Sequence, residues 1–139
     1  MNGAVAFSKD SLRIDPAATA ERIQSAIRDI VFGQLRRKGA VVAISGGIDS
    51  SVVAALCSRA LGKERVLGLF LPEADSSPDS LRLSQLLACS LGIQTQLEDI
   101  TPILTAAGCY RRRDEALRQV IPQYDERFRC KIVLPDILD

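Results

Sequence analysis

The chain has 139 residues, 47% of them hydrophobic and 25% charged, with 18 Lys and Arg against 17 Asp and Glu for a net charge of +1. That composition suits one globular domain over 1–139 and excludes a disordered or fibrous chain, which would be poor in apolar residues or repetitive. A near-neutral chain has no global field to recruit nucleic acid or an anionic membrane, so small-molecule partners held by local groups are expected.

The first eleven residues carry Lys9 and Asp10 and lack the apolar core of a signal peptide, which points to the cytoplasm. Asp15-Pro16 then opens a helix over 15–38, because aspartate caps the first turn and proline loses nothing there. Ile23, Ile27, Ile30, Val31 and Leu35 form its apolar stripe, and Gly39 ends it. The run 40–44, Ala-Val-Val-Ala-Ile, is apolar without alternation and predicts a strand buried on both faces. A second helix follows over 50–61, with Gly62 as its stop. It contains the longest apolar run, 52–57, far short of the about 20 residues that cross a bilayer.

Residues 65–71 predict a second strand ended by Pro72, 78–91 a Leu-rich helix ended by Gly92, and 93–100 a third strand. Strands alternating with helices across short glycine-punctuated turns imply a parallel sheet with helices on both faces, joined by right-handed crossovers. The βα core is accordingly drawn over 40–106. Beyond Thr101-Pro102 the character changes to a basic helical segment over 110–139. Residues 111–131 hold seven basic and four acidic side chains, predicting helices over 113–120 and 124–134 about a break at Pro122.

The chemistry concentrates at 45–51, Ser-Gly-Gly-Ile-Asp-Ser-Ser, between the first strand and the next helix. Paired glycines let the backbone turn tightly and approach a ligand, and a helix start presents unsatisfied N–H groups with partial positive charge. Ser45, Ser50 and Ser51 add hydroxyl donors, while Asp49 offers a hard oxygen ligand for Mg²⁺ shared with phosphates. A loop at the carboxyl end of a parallel strand lies where open α/β sheets bind ligands. Neither GxxxxGK[ST] nor GxGxxG occurs, which removes the kinase-type and dinucleotide-fold readings.

This loop resembles the pyrophosphate-binding loop of the ATP-pyrophosphatase superfamily, and the chain as a whole is most similar to ammonia-dependent NAD synthetases. The similarity extends through the Asp-Pro-led helix, Leu71-Pro72, the Ser-rich turn before Pro78, Leu91-Gly92-Ile93, Glu98-Asp99-Ile100 and Arg127-Phe128-Arg129. It departs at Ala43, where glycine is usual, and over 108–123. The resemblance implies an adenine nucleotide alpha-hydrolase-like fold, Rossmann-like in three layers. Family members continue past the position of Asp139, so an incomplete fold and an N-terminal portion of the family's length are expected. The resemblance further implies an ATP-dependent ligase that adenylates deamido-NAD, releases pyrophosphate and transfers ammonia, with ATP and Mg²⁺ bound and a homodimer formed. ATP would be held by Ala43, Ile44, Ser45, Gly46, Gly47, Ile48, Asp49, Ser50, Ser51 and Leu71, the metal by Asp49, and the dinucleotide substrate by Arg127.

Alternatives stand beside several of these assignments. Asp49 could instead cap a helix starting near Ser51, and Leu71-Pro72 could merely end a strand. Asp75, Ser76 and Ser77 suit turn chemistry and a helix cap, and Arg111, Arg112 and Arg113 suit a solvated basic face. No serine is expected to act as a covalent nucleophile, since the chain has no histidine and the loop no lysine to activate one. Cys57, Cys89, Cys109 and Cys130 form no CxxC pair and are read as reduced, mostly buried thiols. Activation of another small carboxylate or a tRNA base, or a non-catalytic ATP-binding module or half of a split enzyme, remain the competing functions.

Overall fold

The computed structural model describes residues 13–125. Helix α1 spans Pro16–Arg28, and the Asp15 carboxylate accepts from the Ala17 and Ala18 amides at 3.0 and 3.1 Å. The helix expected to reach Lys38 instead widens into π-helical turns over Asp29–Gln34, with Leu35 N–H donating to the Ile30 carbonyl at 2.8 Å. Gly33, a poor helix former, lies within the widened turns.

The next elements alternate as predicted: β1 (Ala40–Ala43), α2 (Ile48–Leu61), β2 (Val66–Phe70), α3 (Pro78–Leu91) and β3 (Gln94–Leu97). The sheet is wholly parallel in the order β1-β2-β3, with Val42 opposite Gly68 and Phe70 opposite Leu97. Successive strands step in one direction, so right-handed crossovers bring α2 and α3 to the same face, where they touch each other and β2. Helix α1 packs on α2.

The core lies between that face and the two helices. Val42, Ile44, Val66, Phe70 and Ile93 meet Ala54, Cys57, Ala60 and Leu61 of α2 and Ala88 of α3. Small residues on the helices let them approach closely. Gly68 serves the same end, since a β-carbon there would stand 3.0 Å from the Ile44 side chain and 3.3 Å from that of Ile93. Gly92 ends α3 in the left-handed region, φ +65°, as its sequence position predicts.

Three expectations are corrected here. β1 is not buried on both faces: Val42 and Ile44 are buried, but Val41 is 63% exposed and Ala43 is exposed, because the described helices that pack on this strand do so from one side. The third strand is shorter than 93–100 and exposed along its length, as an edge strand with Gln at two of four positions can be. Thr101-Pro102 starts a further short helix, α4 (Thr101–Ala106), and α5 begins at Cys109, running to Val120. Proline in the first turn of α4 was the signal for it.

The described residues divide into two compact units between Asp99 and Ile100, whereas the sequence drew its core to 106. In the second unit the triple arginine is largely consumed locally. Arg111 pairs with Glu115 at 3.0 Å, Arg112 donates to the Ala107 carbonyl at 2.7 Å, and Arg113 pairs with Asp114 at 2.9 Å. Tyr124 is buried, with its hydroxyl 3.4 Å from the Asp114 carboxylate and the Arg118 guanidinium over its ring. Tyr124 and Asp125 are not helical, and the rest of the helix expected over 124–134 lies outside the described residues.

The thiols expected to be mostly buried are so at one of the three described positions. Cys57 is buried, Cys109 half-buried and Cys89 exposed, all as free thiols, while Cys130 lies outside the described residues. Burial pushes the Cys57 thiol pKa up, which depletes its reactive thiolate. Iodoacetamide at neutral pH should therefore label Cys89 well before Cys57, as peptide mapping by mass spectrometry would read. Asp15→Ala removes an acceptor shared by two orphan amides and should cost about 1 kcal/mol in a denaturant titration.

Candidate phosphate-binding site

The loop is shaped by a reversal that the chain completes between the end of β1 and the start of α2. Ile44 still donates to the Leu69 carbonyl at 3.0 Å, so the strand pairing extends to the residue before Ser45. Gly46 then takes φ +79°, where a side chain would be strained. A β-carbon at this position would stand 2.5 Å from the carbonyl oxygen of Ser80 in the first turn of α3. Glycine is thus required twice over, once for the backbone angle and once for the approach of a neighbouring helix.

Gly47 is the N-cap of α2 and, having no side chain, caps nothing. The first-turn amides at Ile48, Asp49 and Ser50 belong to the group that a helix cannot satisfy internally. Ser51 and Ser50 turn their hydroxyls back to the Gly47 carbonyl at 2.7 and 3.1 Å. The Ser45 and Ser50 hydroxyls lie 3.0 Å apart, the Ser45 amide donates to the Ser50 hydroxyl at 3.2 Å, and the Gly47 amide reaches the Ser45 hydroxyl at 3.4 Å. The serine side chains expected as ligand donors bond within the loop here, and the helix-start amides are the donors that the helix itself leaves without a partner.

Asp49 does not cap α2, because the helix begins one residue earlier, at Ile48. Its carboxylate is exposed in the first turn, where the helix dipole favours negative charge. Among the described residues no three His, Cys, Asp or Glu side chains gather to hold a metal. A single carboxylate still fits Mg²⁺, which is commonly held by one or two carboxylates together with substrate phosphates and water.

Beside the loop, at the carboxyl ends of β1 and β2, lies a cavity of about 390 Å³ lined by Ile44, Ser45, Phe70, Leu71, Glu73 and Ser84 among others. Leu71 is 40% exposed at this strand end, so the structure brings it to the same cavity as Ser45. Ser76 and Ser77 do the turn chemistry expected of them. The Glu73 amide donates to the Ser76 hydroxyl at 3.0 Å, and Ser77 caps α3 by accepting from the Asp79 amide at 3.3 Å. A larger and more open depression of about 770 Å³ lies at the opposite strand ends, around Lys38, Glu64 and Arg65. The loop chemistry and the general rule for α/β sheets both favour the carboxyl-end cavity. Arg127 lies outside the described residues.

Sequence reasoning missed Ser84, which is only 1% exposed and donates to the Ile44 carbonyl at 3.0 Å. A polar residue within the inward stripe Leu81, Ser84, Ala88 and Leu91 was the available signal.

Residues 19–133 match the family profile described as NAD synthase. The chain belongs to that family. The resemblance noted from the loop is thereby borne out, and the parallel sheet with its helices is the nucleotide-binding architecture it implied. Among curated relatives, this NAD synthase family member is 54% identical over 128 residues to an NH3-dependent NAD(+) synthetase of Mesorhizobium japonicum, covering 92% of this chain and 40% of that protein. A Rhizobium rhizogenes protein of the same description is 49% identical over 129 residues, covering 93% and 39% respectively. The chain thus spans about 40% of the length of these relatives.

Solved structures agree. An NH3-dependent NAD synthetase from Campylobacter jejuni, in complex with the nitrate ion, superposes with a TM-score of 0.64 at 29% identity, covering 78% of this chain and 50% of that one. An NMN synthetase from Francisella tularensis gives 0.65 at 21% identity over 81% and 52%, a likeness of fold alone.

The two loop glycines should respond differently to substitution. Gly46→Ala meets both the positive φ and the Ser80 carbonyl and should lose about 1–3 kcal/mol of stability. Gly47→Ala, at φ −84° with only the Ser45 hydroxyl at 3.4 Å, should stay within about 0.5 kcal/mol. Thermal or urea unfolding of the pair checks the contrast.

Proposed function

We propose that residues 45–51 bind the phosphates of ATP and that the protein acts as the nucleotide-binding part of an ammonia-dependent amide ligase, converting deamido-NAD to NAD. The observation that carries this reading is the loop itself: a left-handed glycine between a parallel strand and an uncapped helix start, in a chain of the NAD synthase family. Its relatives' descriptions as NH3-dependent NAD(+) synthetases support the substrate and the nitrogen donor.

The proposed chemistry needs no side-chain nucleophile. A carboxylate oxygen of the substrate attacks the α-phosphorus, the bond to the bridging oxygen of the β-phosphate breaks, and pyrophosphate leaves with that electron pair. Ammonia then attacks the acyl carbon of the adenylate, loses a proton and expels AMP. The amides at Ile48, Asp49 and Ser50 stabilise the negative charge on the phosphate oxygens, and the braced loop supplies them already oriented. Leu71 offers backbone groups to the adenine from the end of β2. Asp49 would hold Mg²⁺, which supplies charge neutralisation of the phosphates when bound. We assign substrate contact to Arg127 from its place in the Arg-x-Arg run. Action in the cytoplasm as a homodimer, on small molecules rather than nucleic acid, completes the proposal. Among the described residues no helix is long and apolar enough to cross a membrane.

Sustained pyrophosphate release from ATP over many turnovers should require both nicotinic acid adenine dinucleotide and ammonium. Asp49→Ala should lower it by about 10²–10³ while leaving the circular dichroism spectrum unchanged. Release with other acids or with RNA instead of the dinucleotide overturns the substrate assignment. ATP binding without turnover restricts this chain to the nucleotide-binding role, and full turnover in Asp49→Ala removes the metal assignment.

A further inference from the structure

Ser84 lies midway along α3, and its hydroxyl is shared between two carbonyl oxygens. One belongs to Ser80 at 2.8 Å, the back-bond to the preceding helical turn that a buried serine commonly makes. The other belongs to Ile44, 40 residues away in sequence, at 3.0 Å. Ile44 is itself buried, and it is the last residue before the phosphate loop. Gly46, on the far side of Ser45, rests against the carbonyl of Ser80. The residues on either side of Ser45 are therefore both referenced to the same turn of α3.

A buried carbonyl costs free energy when its partner is removed, so the Ile44 peptide has reason to keep this orientation only while a donor sits at position 84. Turning that peptide would rotate the amide of Ser45 and, through it, the entry to the loop. Alanine at 84 would pack equally well in the stripe of Leu81, Ala88 and Leu91, yet would leave the Ile44 oxygen without this donor.

We propose that Ser84 is a positioning residue for the phosphate loop, tying the Ile44 carbonyl to α3 and so fixing the direction of the anion-binding amides through the backbone. The proposal rests on the phosphate-loop reading above.

Calorimetric titration of inorganic pyrophosphate with Mg²⁺ into the wild-type chain, Ser84→Ala, Ser84→Cys and Ser90→Ala tests it, together with amide hydrogen exchange on each. Ser90 is the control, since its hydroxyl makes a local helical bond to the Leu87 carbonyl away from the loop. Ser84→Ala should bind pyrophosphate about tenfold more weakly, the scale of one net hydrogen bond. Exchange should quicken by about tenfold at 45–48 and stay unchanged in β2, while Ser90→Ala behaves as wild type. Equal pyrophosphate affinity in Ser84→Ala overturns the proposal, as does exchange that quickens equally in β2, which would mark general loosening. If Ser84→Ala does not fold, Ser84→Cys, of similar shape but a weak donor, is judged by the same two criteria. Failure of the wild-type chain to bind pyrophosphate overturns the phosphate-loop reading, and this inference with it. Wild-type binding with an unaffected Ser84→Ala overturns the positioning role alone.

Discussion

Between Ile44, still paired in the sheet, and Ile48, already helical, the backbone has three residues in which to reverse. It does so at φ +79° with the Ser80 carbonyl occupying the space a β-carbon would need. Around that contact the other features arrange themselves. The first turn of α3 must be close, so its N-terminus is capped by Ser77 and entered through Pro78, which holds the turn rigid. The residue after the tight one must carry no capping side chain, or the amides of α2 would be satisfied internally. Gly47 meets that condition, and the hydroxyls of Ser50 and Ser51 fold back on its carbonyl instead.

The parallel ladder adds a geometric consequence. Because β1 and β2 run in the same direction in register, their carboxyl ends emerge side by side, bringing Ser45 and Leu71 to one cavity from distant parts of the chain. Packing α2 and α3 on a single face puts the helix that presents amides next to the helix that braces the loop. A partial positive charge at the start of α2 and an exposed carboxylate in its first turn then share one small region. Phosphate chemistry with a divalent cation needs both signs of charge within reach of each other.

Much of this was legible in the sequence because its signals are local. Asp-Pro and Ser-Pro starts, glycine stops and unbroken apolar runs located α2, α3, the first two strands and the start of α1 to within a few residues, but not the end of α1. The loop was legible for the same reason, since strand, double glycine and helix follow one another directly. What escaped depends on which elements meet. The unbroken apolar run of β1 could not say that the described helices packing on it leave Val41 open. The run 101–106, only six residues long, offered too few apolar positions to mark a helix beyond the proline at its start. Ser84 matters only through a partner 40 residues away, and no spacing rule connects the two. The bonds that the loop hydroxyls make to the loop itself escaped similarly, because they follow from its three-dimensional course.

The strand order also has a kinetic consequence. Each strand pairs with the next one in sequence, so the sheet consists of two consecutive crossover units, and closing either loop carries a comparable entropic cost. The whole of 45–51 lies inside the first unit, yet Ser80 and Ser84 belong to the second. A chain that has closed only β1-α2-β2 holds residues 45–51 in order along the backbone but lacks the turn of α3 against which Gly46 and Ile44 set. The shape of the loop is therefore completed only when both units have closed, whichever closes first.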